Sequence, residues 1–146
     1  LQVIGVNVIN VAGSGGTSWA GVEKLRAESM NNELKVHLGE MFWDWGIPTA
    51  ASLIEVRKSV HLPLIASGGL RNGLEVAKCL AIGANMCAMA LPFLKQAAIS
   101  KEAVIQFVNI LLNELKSVMY LVGTKDIKKL KESRYILTGP LAEWFK

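Results

Sequence analysis

The chain has 146 residues, of which 51% are hydrophobic and 19% are charged, and its formal net charge is +4 at pH 7. This composition predicts one ordinary domain with a buried core and excludes an intrinsically disordered chain. The two cysteines lack metal-ligand spacing and are too few for a disulfide framework, which indicates reduced thiols in a cytoplasmic protein.

The N-terminal stretch has no basic segment before its apolar residues, so it does not resemble a signal peptide. The chain begins at Leu1 inside an apolar stretch, and we therefore expect a piece of a longer protein. The most apolar helix candidate, residues 104–122, is interrupted by polar side chains, which predicts a core helix and no membrane span.

The first half of the chain predicts one strand, a glycine-rich turn and two helices. A strand at about 7–12 runs into the turn GSGGTSW, residues 13–19, and helical character follows around 20–30. Pro48 is predicted in the first turn of a helix at about 48–60, because its missing N–H would be unpaired there in any case.

The second half alternates two more strands with three helices. In chain order we predict a strand at 63–67, a helix at 73–82, a strand at about 85–90, a helix at 101–122 and a short basic helix near 125–132. Gly83 is typical of a left-handed helix C-terminus, and Ser100 is typical of an N-cap.

Nearly continuous apolar strands that alternate with helices predict an α/β fold whose parallel sheet is covered by helices. Two architectures fit this pattern, an open doubly wound sheet and part of a (β/α)8 barrel. In both, ligands bind at the C-terminal ends of the strands. We therefore expect GSGGTSW, SGGLRNG (67–73) and ALPF (90–93) to meet at one rim.

The segment IASGGLRNG, residues 65–73, combines bare backbone, a cation and a helix start. Its glycines allow a ligand to approach the backbone amides, and the following helix offers unpaired N–H groups that favour an anion. Arg71 can bind phosphate oxygens in a bidentate manner. Asn72 and Glu75 predict a capping box. A tight turn with a surface arginine is the alternative, but the adjacent strand ends together favour a phosphate-bearing ligand.

Four segments resemble type 2 isopentenyl-diphosphate isomerases, in that family's order and at its spacing. They are VAGSGGTSWAGVE (11–23), FWDWGIPTAASLIEV (42–56), PLIASGGLRNGLEVAKCLAIGAN (63–85) and AMALPFL (88–94). The resemblance implies an FMN-dependent TIM barrel of which residues 1–146 form the C-terminal part, about strands 6–8, with the N-terminal strands outside this chain. It also implies interconversion of isopentenyl diphosphate and dimethylallyl diphosphate in isoprenoid biosynthesis, with reduced FMN, Mg²⁺ and NADPH as the flavin reductant.

The resemblance further implies a set of cofactor contacts. They are Thr17 at the flavin, the phosphate loop Gly68, Gly69, Leu70 and Arg71, and its other half, Ala90 and Leu91. Trp19 is expected near the mouth of the site without a chemical role. The family's substrate-binding, metal-binding and catalytic residues have no matching position, so the catalytic residues are unknown and we expect no metal ligand in this chain.

Two other functions remain open. One is another FMN-dependent barrel oxidoreductase, such as a relative of the 2-hydroxy-acid oxidases, which would need a catalytic histidine. His61 comes before its strand and therefore lies at the end away from the ligand. The other is a non-catalytic fragment. A partial barrel would expose a sheet edge and an apolar interior, so we expect association with the missing N-terminal half or formation of a homo-oligomer.

Basic residues concentrate toward the C-terminus, between residues 116 and 134. No interleaved aromatic residues and no groove-reading motif accompany them. We expect a solvated helix face, and we expect neither a nucleic-acid partner nor a membrane surface.

Overall fold

A three-stranded parallel sheet lies at the centre of the structure, a computed structural model that describes residues 2–146. Its strands are β1 (Ile9–Ala12), β2 (Leu64–Ser67) and β3 (Met86–Cys87), and they lie side by side in chain order. Ile9 pairs with Leu64, which sets the register of the first two strands. Each strand is parallel to its neighbour, so each connection must cross over, and helices make both crossovers.

Eight α-helices and one short 3-10 helix, Gln2–Ile4, accompany the sheet in the described part of the chain. The α-helices are α1 (Trp19–Ser29), α2 (Glu33–Met41), α3 (Thr49–Ser59), α4 (Gly73–Ile82), α5 (Leu91–Ala97), α6 (Lys101–Leu121), α7 (Ile127–Lys131) and α8 (Gly139–Trp144). Among residues 2–146, no helix has both the length and the apolar character that crossing a bilayer demands.

The boundaries of α4 and α6 agree with the predicted ones because capping residues next to each helix mark where it begins or ends. Gly83 ends α4 with φ +125°, and Ser100 caps α6 by accepting a hydrogen bond from the Ala103 amide. Pro48 was expected in the first turn of α3, but it is the N-cap, since its ψ of 142° is not helical. The strand predicted at 85–90 is shorter, because only Met86 and Cys87 pair as β3.

The buried core lies between the sheet and the helices that cross it. Leu53 of α3 and Leu64 and Ala66 of β2 are completely buried, and Leu70 and Cys79 pack in the same cluster. Burial alternates along β2, so this strand has one face against the helices and another that is only partly covered. A loop follows the C-terminal end of each of the three strands, and these loops form the site.

Candidate cofactor site

A cleft of about 1310 Å³ opens where the three strands end. It is lined by loops that follow β1, β2 and β3, as expected for a parallel sheet. The seven residues that the sequence resemblance implied all lie in its wall, namely Thr17, Gly68, Gly69, Leu70, Arg71, Ala90 and Leu91. The structure thus brings together residues that are separated by more than half of the chain.

The glycine-rich loops after β1 and β2 lie in direct backbone contact. Gly68 and Gly69 have φ values of +100° and +90°. A Cβ atom on Gly69 would lie 1.8 Å from the carbonyl oxygen of Gly15, and one on Gly68 would lie 2.2 Å from that of Gly13. The sequence suggested that these glycines admit a ligand. In the structure they are needed first for the left-handed backbone and for contact between the loops.

Arg71 lies across the junction of these two loops. Its Nη1 donates to the carbonyl oxygen of Gly69 at 2.6 Å, and its Nη2 lies 3.4 Å from the carbonyl oxygen of Gly15. The side chain is exposed to the cleft, and within the described part of the chain it is in no ion pair. The guanidinium therefore joins the loops and keeps a positive charge available for an anion.

Thr49, which the sequence did not predict as a site residue, stabilises the glycine loop after β2. Its Oγ1 donates to the carbonyl oxygen of Gly68 at 2.5 Å. A Cβ atom on Gly13 would come within 2.2 Å of the Thr49 Cα, so the start of α3 packs directly against the first glycine loop. A hydroxyl-bearing residue directly after GIP was the available signal, but nothing local in the sequence pointed to its partner.

The N-terminus of α4 differs from the prediction. The expected Asn72 cap is present, since its Oδ1 accepts from the Glu75 amide at 2.9 Å. The Glu75 carboxylate, however, accepts from the Arg71 amide at 2.6 Å, one residue before the bond of a capping box. The Gly73 amide donates to Glu114 Oε2 of α6 at 2.6 Å. Amides expected to be free for a phosphate are therefore already paired with side chains of this chain.

Other donors remain in the loop itself. Within residues 2–146, the amides of Gly69 and Leu70 donate to no protein acceptor. Both residues line the cleft, as Arg71 does. Backbone N–H groups next to a guanidinium form a donor set that suits phosphate oxygens. The residues present therefore fit the phosphate end of FMN.

The rest of the cleft is mixed in character. At its floor, Ser67 Oγ donates to Asn10 Oδ1 at 2.7 Å, which links the ends of β2 and β1. Trp19 and Trp45 border the opening with 77% and 81% of their surface exposed. Trp19 lies where the resemblance placed it. Polar groups at the strand ends and broad aromatic surface at the opening can accept a ligand with an anionic end and a flat ring.

Metal ligands are not assembled in the described part of the chain. No group of three or more His, Cys, Asp or Glu side chains there could hold a metal ion. A smaller cavity of about 510 Å³ is lined by both α1 and α2, with Glu28, His37 and Glu40 in its wall. His61 is exposed and does not line the main cleft.

The family model of the FMN-dependent dehydrogenases matches residues 4–137. Among curated proteins, an isopentenyl-diphosphate delta-isomerase of Methanosarcina mazei is 48% identical over 145 residues, which cover 99% of this chain and 39% of that protein. The protein of the same name from Pyrococcus furiosus is 47% identical, with 100% of this chain and 36% of that protein covered. The chain thus spans about two fifths of the length of these relatives.

Solved structures show the same fold. The C318A variant of GMP reductase from Trypanosoma brucei matches all of this chain and 33% of its own, with a TM-score of 0.62 at 21% identity. An A198G:L230A flavocytochrome b2 with sulfite bound covers 85% of this chain and 33% of its own, with a TM-score of 0.58 at 23% identity. These likenesses confirm the predicted fold class, part of a TIM barrel.

The relatives also confirm the resemblance to isopentenyl-diphosphate isomerases that the four sequence segments indicated. The family match covers residues 4–137, which include all three strands of the parallel sheet and the loops that line the cleft. On this evidence the chain belongs to the FMN-dependent dehydrogenase family.

Proposed function

We propose that this chain provides the FMN phosphate-binding part of an isopentenyl-diphosphate isomerase, which interconverts isopentenyl and dimethylallyl diphosphate in isoprenoid biosynthesis. The observation that carries the proposal is the convergence of the seven residues implied by the family resemblance in one cleft at the strand ends. The isomerase relatives, which are 47–48% identical over nearly the whole chain, support the choice of reaction.

The phosphate of FMN would lie at the junction of the two glycine loops. There the Arg71 guanidinium would bind its oxygens, and the free amides of Gly69 and Leu70 would donate to them. Thr49 Oγ1 donates a hydrogen bond to the carbonyl oxygen of Gly68 and so helps to fix the backbone of this loop. Ala90 and Leu91 would close the other side with backbone and apolar surface.

When bound and reduced, FMN supplies a ring nitrogen that can exchange a proton with a substrate carbon without net redox change. This chain's part is to fix the phosphate end of the cofactor, so that the ring is held in one orientation. Thr17 lies in the same cleft and would contact the flavin. The exposed tryptophans at the opening can exclude water when the substrate is bound.

We also propose that residues 1–146 form the C-terminal segment of a single barrel domain whose other strands lie outside this chain. Both outer strands of the sheet, β1 and β3, have an unpaired edge within the described residues. Asn10 and Ala12 of β1 are exposed on the face that a barrel would enclose. Further strands would cover both the edges and this face.

Several finer parts of the proposal depend on that missing segment. Mg²⁺ and the substrate diphosphate would bind there; the described residues hold no group of three or more His, Cys, Asp or Glu side chains that could bind a metal ion. NADPH would reduce the flavin. Exposed apolar side chains such as Tyr120, Leu121 and Ile136 favour a homo-oligomer, and the two free thiols favour the cytoplasm.

A titration with two flavins tests the phosphate site. FMN and riboflavin share one ring system, so flavin fluorescence measures the affinity for both. Only FMN carries a phosphate, so the difference between the two affinities measures the contribution of the phosphate. We expect the chain to bind FMN at least tenfold more tightly than riboflavin, and Arg71→Gln to remove that preference, since charge-assisted hydrogen bonds contribute about 1.5–3 kcal/mol. Lys101→Gln, an exposed charge outside the cleft, is the matched control. Equal affinity for both flavins would overturn the phosphate site.

The reaction itself is tested on the full-length protein loaded with FMN, Mg²⁺ and NADPH. Proton NMR should show isopentenyl diphosphate converting to dimethylallyl diphosphate until equilibrium is reached. A loaded protein that leaves the double bond in place would disprove the isomerase proposal and leave the phosphate site standing.

A second candidate is an FMN-dependent oxidoreductase, which the matching family model favours. The structure argues against the branch that uses a catalytic histidine from this part of the barrel. Neither His37 nor His61 lines the cleft. Net reduction of the flavin by a 2-hydroxy acid, followed by its absorbance, separates this candidate from an isomerase.

A further inference from the structure

Three charged side chains line the main cleft, Asp44, Arg71 and Lys95. Lys95 belongs to α5, one turn after Leu91, so both residues are on one face of that helix. Long helical side chains lean toward the preceding turn, which directs Lys95 toward Ala90 and Leu91. These two residues form the second half of the proposed phosphate site but contribute no charge themselves.

The charge around the phosphate loop is otherwise unfavourable for a dianion. Arg71 is its one cation, and this guanidinium already donates to two carbonyl oxygens of the loops. The Glu75 carboxylate accepts from the Arg71 amide of the loop, and the Glu114 carboxylate accepts from the Gly73 amide at the start of α4. A phosphate monoester carries nearly two negative charges at pH 7. Arg71 alone would therefore leave an excess of negative charge at the loop.

Lys95 is available to correct this excess. Lys24, by contrast, is paired with Glu40 at 2.7 Å, and Lys129 is paired with Glu132 at 2.7 Å. Lys95 is exposed, and in the part of the chain that the structure describes it is in no ion pair. Its ammonium is a compact charge on a flexible stem, so it can move onto an anion that enters the cleft.

We propose that Lys95 is a second cationic contact to the FMN phosphate, acting from α5 opposite Arg71. The inference rests on the proposed FMN site and adds a residue that none of the family-derived contacts includes. Arg71 positions the phosphate at the glycine loops. Lys95 balances its second charge and ties α5 to the bound cofactor.

The test compares Lys95→Gln, Lys95→Arg and Lys101→Gln in titrations with FMN and with riboflavin. We expect Lys95→Gln to weaken FMN binding about tenfold, as the loss of one charge-assisted contact does. Lys95→Arg should stay within about threefold of the unaltered chain because the charge is kept. Riboflavin affinity should not change in any variant. Binding of FMN should also lose part of its salt dependence in Lys95→Gln.

The outcomes distinguish the role of Lys95 from the presence of the FMN phosphate site. If the unaltered chain prefers FMN over riboflavin and Lys95→Gln keeps that preference, the role of Lys95 is disproved and the phosphate site remains. If the unaltered chain shows no preference for FMN, both fail together. Equal losses for FMN and riboflavin would indicate a structural effect and would also overturn the inference. Thermal melting of each variant without flavin checks that the exposed substitution leaves the fold intact.

Discussion

The carboxylate of Glu114 on α6 accepts a hydrogen bond from the amide of Gly73, with 2.6 Å between Oε2 and N. The bond joins the first turn of α4 to a helix that begins 28 residues later in the chain. It satisfies an amide that has no partner within its own helix and places a negative charge where the helix dipole favours one.

Glu114→Gln should therefore have two opposite effects. The free energy of unfolding should fall by about 1 kcal/mol, because the charge at the helix start is lost. Affinity for FMN should rise, because a carboxylate behind the phosphate loop is removed. Urea denaturation and flavin titration measure the two effects on one sample. Lys116→Gln, at an exposed position of the same helix, should change neither, because lysine and glutamine have nearly equal helix propensity. A parallel loss of stability and FMN affinity would contradict the charge argument.

Gly69→Ala should destabilise the chain strongly. The new Cβ would lie 1.8 Å from the Gly15 carbonyl oxygen, at a φ of +90° that alanine rarely adopts. Strain of this backbone type costs about 1–3 kcal/mol, and the overlap adds a similar amount. Gly123→Ala separates the two costs, because φ is +70° there and nothing lies within 4 Å. We expect Gly69→Ala to lower the melting temperature clearly more than Gly123→Ala, and equal shifts would refute the loop contact.

The Cys87 thiol should react slowly. Its hydrogen bond with the Cys79 thiol and its burial raise the pKa of Cys87 above the usual value, and its Sγ lies 3.9 Å from the carbonyl oxygen of Val76. Since the thiolate is the reactive form, a disulfide reagent at pH 8 should modify folded Cys87 at least about tenfold more slowly than the urea-unfolded chain.

Cys79→Ala should speed up the modification of Cys87, because it removes the hydrogen bond with the Cys79 thiol that raises the pKa of Cys87. Cys87→Ala provides the control, since the remaining Cys79 is only 8% exposed and should stay slow. Rapid modification of Cys87 in the folded chain would rule out this environment.

Acid should weaken the contact between α1 and α2. Lys24 Nζ lies 2.7 Å from Glu40 Oε2, and this hydrogen bond holds the pKa of Glu40 below its usual 4.5. A carboxyl whose pKa is lower in the folded state stabilises the fold above its unfolded pKa, and the contribution disappears as the pH falls through the folded value. Glu40→Gln should melt slightly lower than the unaltered chain at pH 7 and at the same temperature well below pH 4. The effect is small because the pair is exposed. A difference that persists in acid would point to packing instead of charge.

The sequence predicted those parts of the fold that depend on neighbouring residues. Asn72, Gly83 and Ser100 act as predicted because a cap and its partner lie within a few residues. The meeting of the three loops was also predictable, since parallel strands place their C-terminal ends at one edge. The short helices α2, α5 and α8 were missed. For α5 we predicted only that ALPF lies at the rim and no helix, although proline fits a first helical turn.

The missed parts of the site are contacts over long distances in the chain. Thr49 reaches the carbonyl of Gly68 across 19 positions, and Glu114 reaches Gly73 across 41. Nothing in the local pattern of either residue names its partner. For the same reason the sequence predicted only a ligand-binding role for the glycines of SGGLRNG, although Gly68 and Gly69 contact the loop after β1.

The contact between the two glycine loops also bears on when the site can form. Arg71 and Gly15 are 56 positions apart, and a helical crossover fills most of that interval. Closing so long a segment has an entropic cost, and contacts between residues so far apart in the chain therefore form late in folding. A peptide that contains only SGGLRNG therefore has no second loop to hold its backbone in place. Acquisition of cofactor affinity during refolding should then coincide with the docking of β1 onto β2, so flavin fluorescence would time the assembly of the sheet.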